Sequence, residues 1–453
     1  MTRERFDSQK KIMRNSGENG IGTQDRLMMA LLKDLYPLHR TINSDDMEKS
    51  LRMIGDYIGK GFRILPFKPG TAAFSWTIPP RYSVDEAYID CNGKRFAEFS
   101  KSNLSVVSYS IPINKCVSYQ ELRRHVFTQP DLPDETPWMF KYYERTWGFC
   151  MPHRQWLRLD RNAKYRVVIK SRFEKKPFMV GEYVIPGHTN EEILWVSDIC
   201  HPSQVNDSIT GAVVAAHLAK VWTKRYKGRF TLRFLFLPET IGSVAWFSRN
   251  LKKISRIRYG MFCEMLGNDN RFLLKLSRQG DTPWDRIAKR AFKRHKNMGE
   301  TKVITFQQIA PQNDEKVMNG VGIDIPTVSF TRWPYREYHT SADNPNLIQL
   351  KNLKEAFGIT QEMLQSVNYD LYPISTVRGP IMLSRYKLWV PYDANPKLNQ
   401  ALQRILFMLN GQYSVADIAE EVMLDSKTLR QYLKRFEAHG LIRWNRGPWE
   451  KER

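Results

Sequence analysis

The chain has 453 residues, 42% of them hydrophobic, with 70 Lys and Arg against 47 Asp and Glu for a formal charge of +23. That length allows two or three domains, and the apolar content excludes a broadly disordered protein. The charge fits either contact with polyanions or an excess spread over the surface that aids solubility, while no apolar run approaches the roughly 18 residues that a membrane span needs.

Residues 1–22 are polar and read as a mobile leader without the apolar stretch of a secretory signal. Five scattered cysteines with no CxxC pair point to a reducing cytoplasm and away from a disulfide framework. Residues 26–36 read as a helix, and Ser44 as the N-cap of a second over 45–58, with Asp45, Asp46 and Glu48 in its first turn. From Phe74 the pattern turns to β: strands flank a tight turn at Asn92-Gly93, and 105–111 continues in β style. Residues 165–170 and 176–185 read as a pair of strands. Strands at 193–196, 230–237, 259–263, 271–276, 303–306 and 327–330 then alternate with helices at 212–222, 243–252 and 350–369. This alternation predicts an α/β core with a mostly parallel central sheet. Arg286 to Lys296 carries six Lys and Arg at helical spacing and reads as the solvated face of a helix. Helices at 397–409, 414–422 and 427–439, followed by a strand and wing, predict a winged helix-turn-helix. Arg430, Lys434 and Arg435 on its third helix are its candidate phosphate contacts. The competing reading, that this module packs on the core or joins subunits, is preferred over DNA binding. The expected domains are 1–22 leader, 23–74 with 156–375 as α/β core, 75–155 as a β-rich insertion and 385–447 as the winged module.

The chemistry gathers beyond the carboxyl ends of the predicted core strands. His201 and Asp207 lie between the strand 193–196 and the helix 212–222. Glu239 follows the strand 230–237, Glu264 follows 259–263, and His339 sits in the loop after the last strand. In a parallel sheet those ends share one edge, where open α/β sheets bind ligands. Histidine nitrogen and carboxylate oxygen suit zinc, and a carboxylate outside the ligand set can take the proton from water. Other readings of the same residues are a helix-capping Asp207, a Glu239 facing the next helix's N-terminus and a hydrogen-bonded loop histidine at 339.

In its combined motifs the chain resembles co-catalytic zinc aminopeptidases. The matching segments are His201, Asn206-Asp207 with Gly211, Glu239-Thr-Ile-Gly242, Glu264-Met-Leu-Gly267 and His339. More closely, it resembles bacterial aminopeptidase-like proteins labelled as polysaccharide-biosynthesis proteins. That likeness rests on Phe74-Ser-Trp-Thr-Ile-Pro, Trp147-Gly-Phe-Cys150, Cys200-His-Pro-Ser, Pro238-Glu-Thr-Ile-Gly-Ser and Tyr338-His-Thr-Ser. The resemblance implies an aminopeptidase-like core, an inserted β domain and a C-terminal winged helix. It also implies zinc on His201, Asp207 and Glu264, with His339 joining that site or a second one, and Glu239 as general base. Thr240 stands where the pattern has a Glu ligand, and Glu264 where it has an Asp, so one zinc per chain is favoured over two. Asp314, Glu315 and Tyr338 are candidate substrate contacts. The expected function is zinc-dependent cleavage of an amide bond in a small peptide-like, amino-acyl or N-acyl substrate. The alternatives are an amidase on a non-peptide metabolite and a non-catalytic binding protein. The expected partners are that substrate and, through the winged module, a protein or a second copy.

Overall fold

The computed structural model describes residues 22–295, 301–308 and 312–449. Apart from Gly22, the expected leader lies outside the described residues.

The chain enters through α1 (Thr23–Leu35) and α2 (Asp45–Ile58). Ser44 caps α2 as its sequence predicts, its hydroxyl accepting from the Met47 amide at 3.1 Å. The buried face of α2 carries Met47, Leu51, Ile54 and Ile58. After β1 (Arg63–Phe67) the chain leaves the core and builds β2 (Arg81–Cys91), β3 (Lys94–Phe96), β4 (Ile113–Ser118) and β5 (Lys164–Glu174). It returns as β6 (Phe178–Ile185), β7 (Glu192–Asp198), α3 (Ile209–Thr223), β8 (Thr231–Leu237), α4 (Ile241–Arg249), β9 (Ile257–Cys263) and β10 (Phe272–Lys275). The core continues with α5 (Pro283–Arg294), β11 (Lys302–Ile304), α6 (Asp314–Met318), β12 (Thr327–Arg332) and α7 (Leu350–Tyr369).

Eight strands form the central sheet in the order β1-β6-β8-β7-β9-β12-β10-β11. The middle four, β8-β7-β9-β12, are parallel neighbours, so their carboxyl ends share one edge. β7 is buried along its whole length, as expected for a strand covered on both faces. α3 is apolar nearly all round, and α1, α2 and α7 enclose it.

The insertion is a four-stranded antiparallel sheet, β3-β2-β5-β4. Asn92 and Gly93 have φ of 53° and 82°, and Cys91 pairs with Lys94 across them. This is the two-residue hairpin that Asn-Gly predicts. The expected pairing of the strands at 165–170 and 176–185 does not form. β5 pairs with β2 and β4 instead, which moves the end of the insertion from 155 to 174. Tyr165, Val167 and Ile169 of β5 are buried in a second core with Leu122, Trp147 and Phe149. Residues 105–111 are not a strand either. A 3-10 turn at Asn103–Ser105 leads to isolated bridges at Val106 and Ser108, and Tyr109 has φ of 71°.

The C-terminal part comprises β13 (Tyr372–Ser375), α8 (Pro396–Phe407), α9 (Val415–Glu421), α10 (Ser426–Ala438) and β14 (Ile442–Asn445). The helices enclose their own core, with Leu402, Ile405, Ile418, Leu433 and Phe436. β14 pairs antiparallel with β13, which precedes the first helix, and no hairpin follows it among the described residues. The basic helix α5 is not simply solvated. Arg290 is 7% exposed, its guanidinium donating to Asp417 of α9 and to Asp370 at 3.2 Å. Arg286 Nε lies 3.2 Å from Asp417. Replacing Arg290 by Ala leaves Asp370 without this cation and Asp417 with Arg286 alone. The expected cost is about 3–5 kcal/mol, because breaking a buried pair strands its partner. Chemical denaturation of the full chain checks this, and a loss below 1 kcal/mol contradicts it.

Candidate metal centre

Each site residue sits just past a strand of the parallel set. β7 ends at Asp198 and leads to His201 and Asp207, β8 leads to Glu239, β9 to Glu264, and β12 to His339. The loops are laced together. Met265 N donates to Asn206 O at 3.0 Å, Gly267 N to Asn206 Oδ1 at 2.8 Å, and Leu266 N to Thr210 Oγ1 at 2.9 Å. Asp343 lies beneath them, fully buried. Its carboxylate accepts the amides of Val205, Asn206 and Asp207 at 3.2, 2.7 and 3.1 Å and the Tyr335 hydroxyl at 2.8 Å. Arg40, also buried, donates to the carbonyls of Ile199 and Gln204 at 2.5 and 2.8 Å. Thr240, Met265 and His339 all have φ between 50° and 60°. Three non-glycine residues in the left-handed region at one edge mark a place where backbone strain is held by its surroundings.

The side chains converge. His201, Asp207 and His339 offer ligand atoms all within 4.8 Å of one another, and so do Asp198, Asp207 and Glu264. Asp207 Oδ2 lies 3.1 Å from His339 Nε2 and 3.8 Å from His201 Nε2, while Glu239 Oε2 lies 3.6 Å from His201 Nε2. Burial pushes His201 down to about 4, so its ring is a neutral nitrogen donor near pH 7. Burial opposes ionisation of Asp207, but His201 and His339 outweigh it and hold the carboxyl below its usual range. Burial, reinforced by the Asp207 charge, pushes Glu239 up to about 7. The same two causes push Glu264 well up. Asp207 Oδ2, Glu264 Oε2 and both Asp198 oxygens are buried with no hydrogen-bond partner among the described residues. Buried acceptors left without a partner are costly, and imidazole with carboxylate is a donor set that suits zinc. By this measure the residues fit a metal ion.

The insertion closes one side. The Trp138 amide donates to the His339 carbonyl at 2.7 Å. Its ring lies 4.3 Å from the His201 ring and 4.7 Å from the His339 ring, centre to centre. Tyr338 stacks on His339 at 3.8 Å. The other two expected substrate contacts are engaged within the protein. Glu315 is buried and pairs with Lys275 at 2.9 Å, so that ion pair occupies the carboxylate expected to meet a substrate amine. Asp314 is buried, accepts the Thr240 amide at 3.1 Å and the Ser243 hydroxyl, and holds the start of α4. Arg430 and Lys434 are exposed on α10, and Arg435 donates to the Lys387 carbonyl. The sequence gives no role to Asp198, Asp343, Arg40 or Trp138. The nearness of Asp198 to His201 and of Asp343 to His339 in the chain is the signal that could have found two of them.

A mixed α/β fold with a large, mostly parallel sheet and a His-carboxylate cluster at its carboxyl edge defines the class of zinc aminopeptidase-like proteins. The chain belongs to the family described as a domain of unknown function, DUF4910, which matches residues 29–370. A Clostridium acetobutylicum protein named as a polysaccharide biosynthesis protein with an aminopeptidase-like domain is 31% identical over 427 residues, 93% of this chain and 95% of that one. A crystal structure of a provisionally named peptidase from Clostridium acetobutylicum superposes with a TM-score of 0.78 at 28% identity, covering 93% of this chain and 96% of that one. A zinc aminopeptidase from Bacillus subtilis shares the fold at a TM-score of 0.57 and 13% identity, covering 77% and 96%. These likenesses support a peptidase-like hydrolase. Among the described residues no helix is long and apolar enough to cross a membrane.

Proposed function

We propose that this chain is a cytoplasmic, zinc-dependent hydrolase of aminopeptidase type that cleaves an amide bond in a small peptide-like, amino-acyl or N-acyl substrate. One observation carries the reading: His201, Asp207 and His339 present ligand atoms within 4.8 Å of one another, with the Glu239 carboxylate 3.6 Å from His201. Those three residues, with Glu264 next to them, would hold the ion. Zinc bound there supplies polarisation of the scissile carbonyl and a lowered pKa for water. Glu239 takes the proton from the attacking water and passes it to the leaving amine. Trp138 walls the site and excludes bulky substrates, and Tyr338 keeps the His339 ring in place. Thr240, a neutral hydroxyl, supports one zinc rather than two. The name of the Clostridium relative supports a biosynthetic intermediate as substrate. The C-terminal module serves as a packing and protein-interaction unit, because α9 is committed to α5 through Arg290 and Asp417. DNA contact through Arg430 and Lys434 is the less favoured use.

Elemental analysis of the full chain tests the reading. Wild type should take up zinc, and His201→Ala should retain less than about a tenth of it at equal protein concentration, since losing a ligand exceeds the effect of losing a supporting partner. Wild type that takes up no zinc overturns the proposal. Zinc uptake with turnover of acylated metabolites but not of aminoacyl amides moves the reading to the amidase alternative.

A further inference from the structure

Trp138 belongs to an extended segment of the insertion that leads away from the histidines. Pro137 bridges to Thr340 and Phe140 to Ser108, and the Lys141 amide donates to the Ser108 carbonyl at 3.0 Å. Every second side chain of an extended segment shares one face, and that face carries Trp138, Phe140 and Tyr142. Their rings follow one another at 5.0 and 4.7 Å, centre to centre. Trp138 is 3% exposed beside the histidines, whereas Phe140, the next ring, is 43% exposed. Tyr143 is exposed as well. Its ring lies 6.3 Å from that of Trp76, and its hydroxyl donates to the Thr77 carbonyl at 2.9 Å. Trp76 belongs to a small hairpin in which Ala72–Ala73 pairs with Trp76–Thr77. That hairpin packs on α4, the helix that follows Glu239. Phe74, at its tip, is exposed and has φ of 52°, a backbone conformation that a bulky residue seldom adopts.

Among the described residues before Tyr369, the exposed aromatic rings are those of Phe74, Trp76, Phe140 and Tyr143. All four lie on two segments that adjoin the metal centre, one through Trp138 and the other through α4. Apolar rings gathered in one place on a surface mark a binding site. Their shallow setting selects the ligand. An acyl chain is held best in a pocket that removes most of its surface from water. A ring lying flat on a half-exposed aromatic face keeps its edge wet, which suits a pyranose, with its apolar C–H face and hydrated hydroxyls. Lys141, beside Phe140, is paired with Glu144 at 3.0 Å, so this pair adds no net charge to the rim. We infer that Phe74, Trp76, Phe140 and Tyr143 form a saccharide-binding rim that receives a sugar ring of the substrate. The amide cleaved at the metal centre then belongs to a sugar-bearing molecule. The inference rests on the hydrolase reading for the link between rim and metal, and deepens it. Trp138 keeps bulk away from the ligand cluster, so the sugar stays on the rim and the amide end alone reaches His201 and Glu239.

The probe is N,N′-diacetylchitobiose, a disaccharide of N-acetylated amino sugars, and N-acetylphenylalanine amide is its competitor. Saturation-transfer NMR on the full-length protein, both zinc-loaded and stripped with a chelator, should show the ring C–H protons of the disaccharide in contact with the protein in both forms. Phe140→Ala and Trp76→Ala should each weaken its binding by about five- to tenfold, the scale of one lost aromatic contact, with zinc uptake at the wild-type level. Thermal melts show whether each variant folds, and one that melts early is replaced by Tyr143→Ala. A wild type that binds no disaccharide overturns this inference alone, as do folded variants that bind it within about twofold of wild type. Tighter binding of N-acetylphenylalanine amide, weakened by the same substitutions, assigns the rim to an aromatic peptide side chain and overturns the saccharide assignment. Disaccharide bound at the rim of a protein that takes up no zinc overturns the hydrolase reading and the link from rim to metal with it.

Discussion

Glu239→Gln is expected to lower amide turnover by about 10²–10⁴-fold, the usual contribution of a positioned general base, while bound metal stays at the wild-type level. The substitution keeps the shape of the side chain and removes its capacity to take a proton. Glu239 is well placed for that task. Its backbone amide donates to Cys200 Sγ at 3.1 Å, and the next residue is held by Asp314 through the Thr240 amide. The carboxylate reaches within 3.6 Å of His201 Nε2. The histidine nearest Asp207 is His339 at 3.1 Å, whereas Glu239 stands 3.6 Å from His201. Removing the Glu239 charge should thus leave the ion's holders intact. The check is kcat on an aminoacyl amide beside metal content for the same preparation. A variant that loses zinc along with activity shows that Glu239 is a ligand and not the base, and one that keeps full activity removes it from the mechanism.

The sequence showed the site at the level of strand ends. A buried strand followed by a polar, acid-bearing loop is a local pattern, and His201, Asp207, Glu239, Glu264 and His339 each carry it. Because β8, β7, β9 and β12 are parallel neighbours, local patterns far apart in the chain meet at one edge. What was not legible depends on contacts with no local signature. Asp343 follows His339 by four residues, but its work is done on the amides of residues 205–207. Trp138 lies in a proline-rich loop of the insertion, and only the folded chain brings it against both histidines. β5 was misplaced for a similar reason. Its alternating pattern says that one face is buried, not which core buries it. The face of α5 that reads as solvated is covered because Asp417 of the C-terminal module and Asp370 at the end of α7 lie opposite Arg286 and Arg290. A charged residue at helical spacing looks the same in sequence whether water or a counter-ion waits outside. Lys275 and Glu315 make the same point, since neither residue in the chain predicts that the other will neutralise it.

Gly211→Ala is expected to be the most damaging single-methyl change in the core, with a stability loss of about 3 kcal/mol or more and at least a tenfold loss of zinc affinity. A Cβ at 211 would lie 1.8 Å from the Cys263 carbonyl oxygen, 2.7 Å from its carbon and 3.1 Å from Glu264 Cα. All three are backbone atoms, so no rotamer change relieves the contact. Overpacking where side chains can give way typically costs 1–3 kcal/mol, and here either the start of α3 or the end of β9 must move. Either motion separates Asp207, which precedes α3, from Glu264, which follows β9. A metal site tolerates roughly half an ångström of such displacement. Gly267→Ala is the comparison that isolates the cause. Its Cβ would also be crowded, at 2.6 Å, but by Ile348 Cδ1 with Ile348 Cγ2 and Thr210 Cγ2 behind it, and these side-chain atoms can shift. Thermal melts and zinc titrations of both variants should therefore separate them, with Gly211→Ala worse on each measure. If Gly211→Ala melts with wild type and binds zinc equally well, the close approach of α3 to β9 is not what holds Asp207 and Glu264 together.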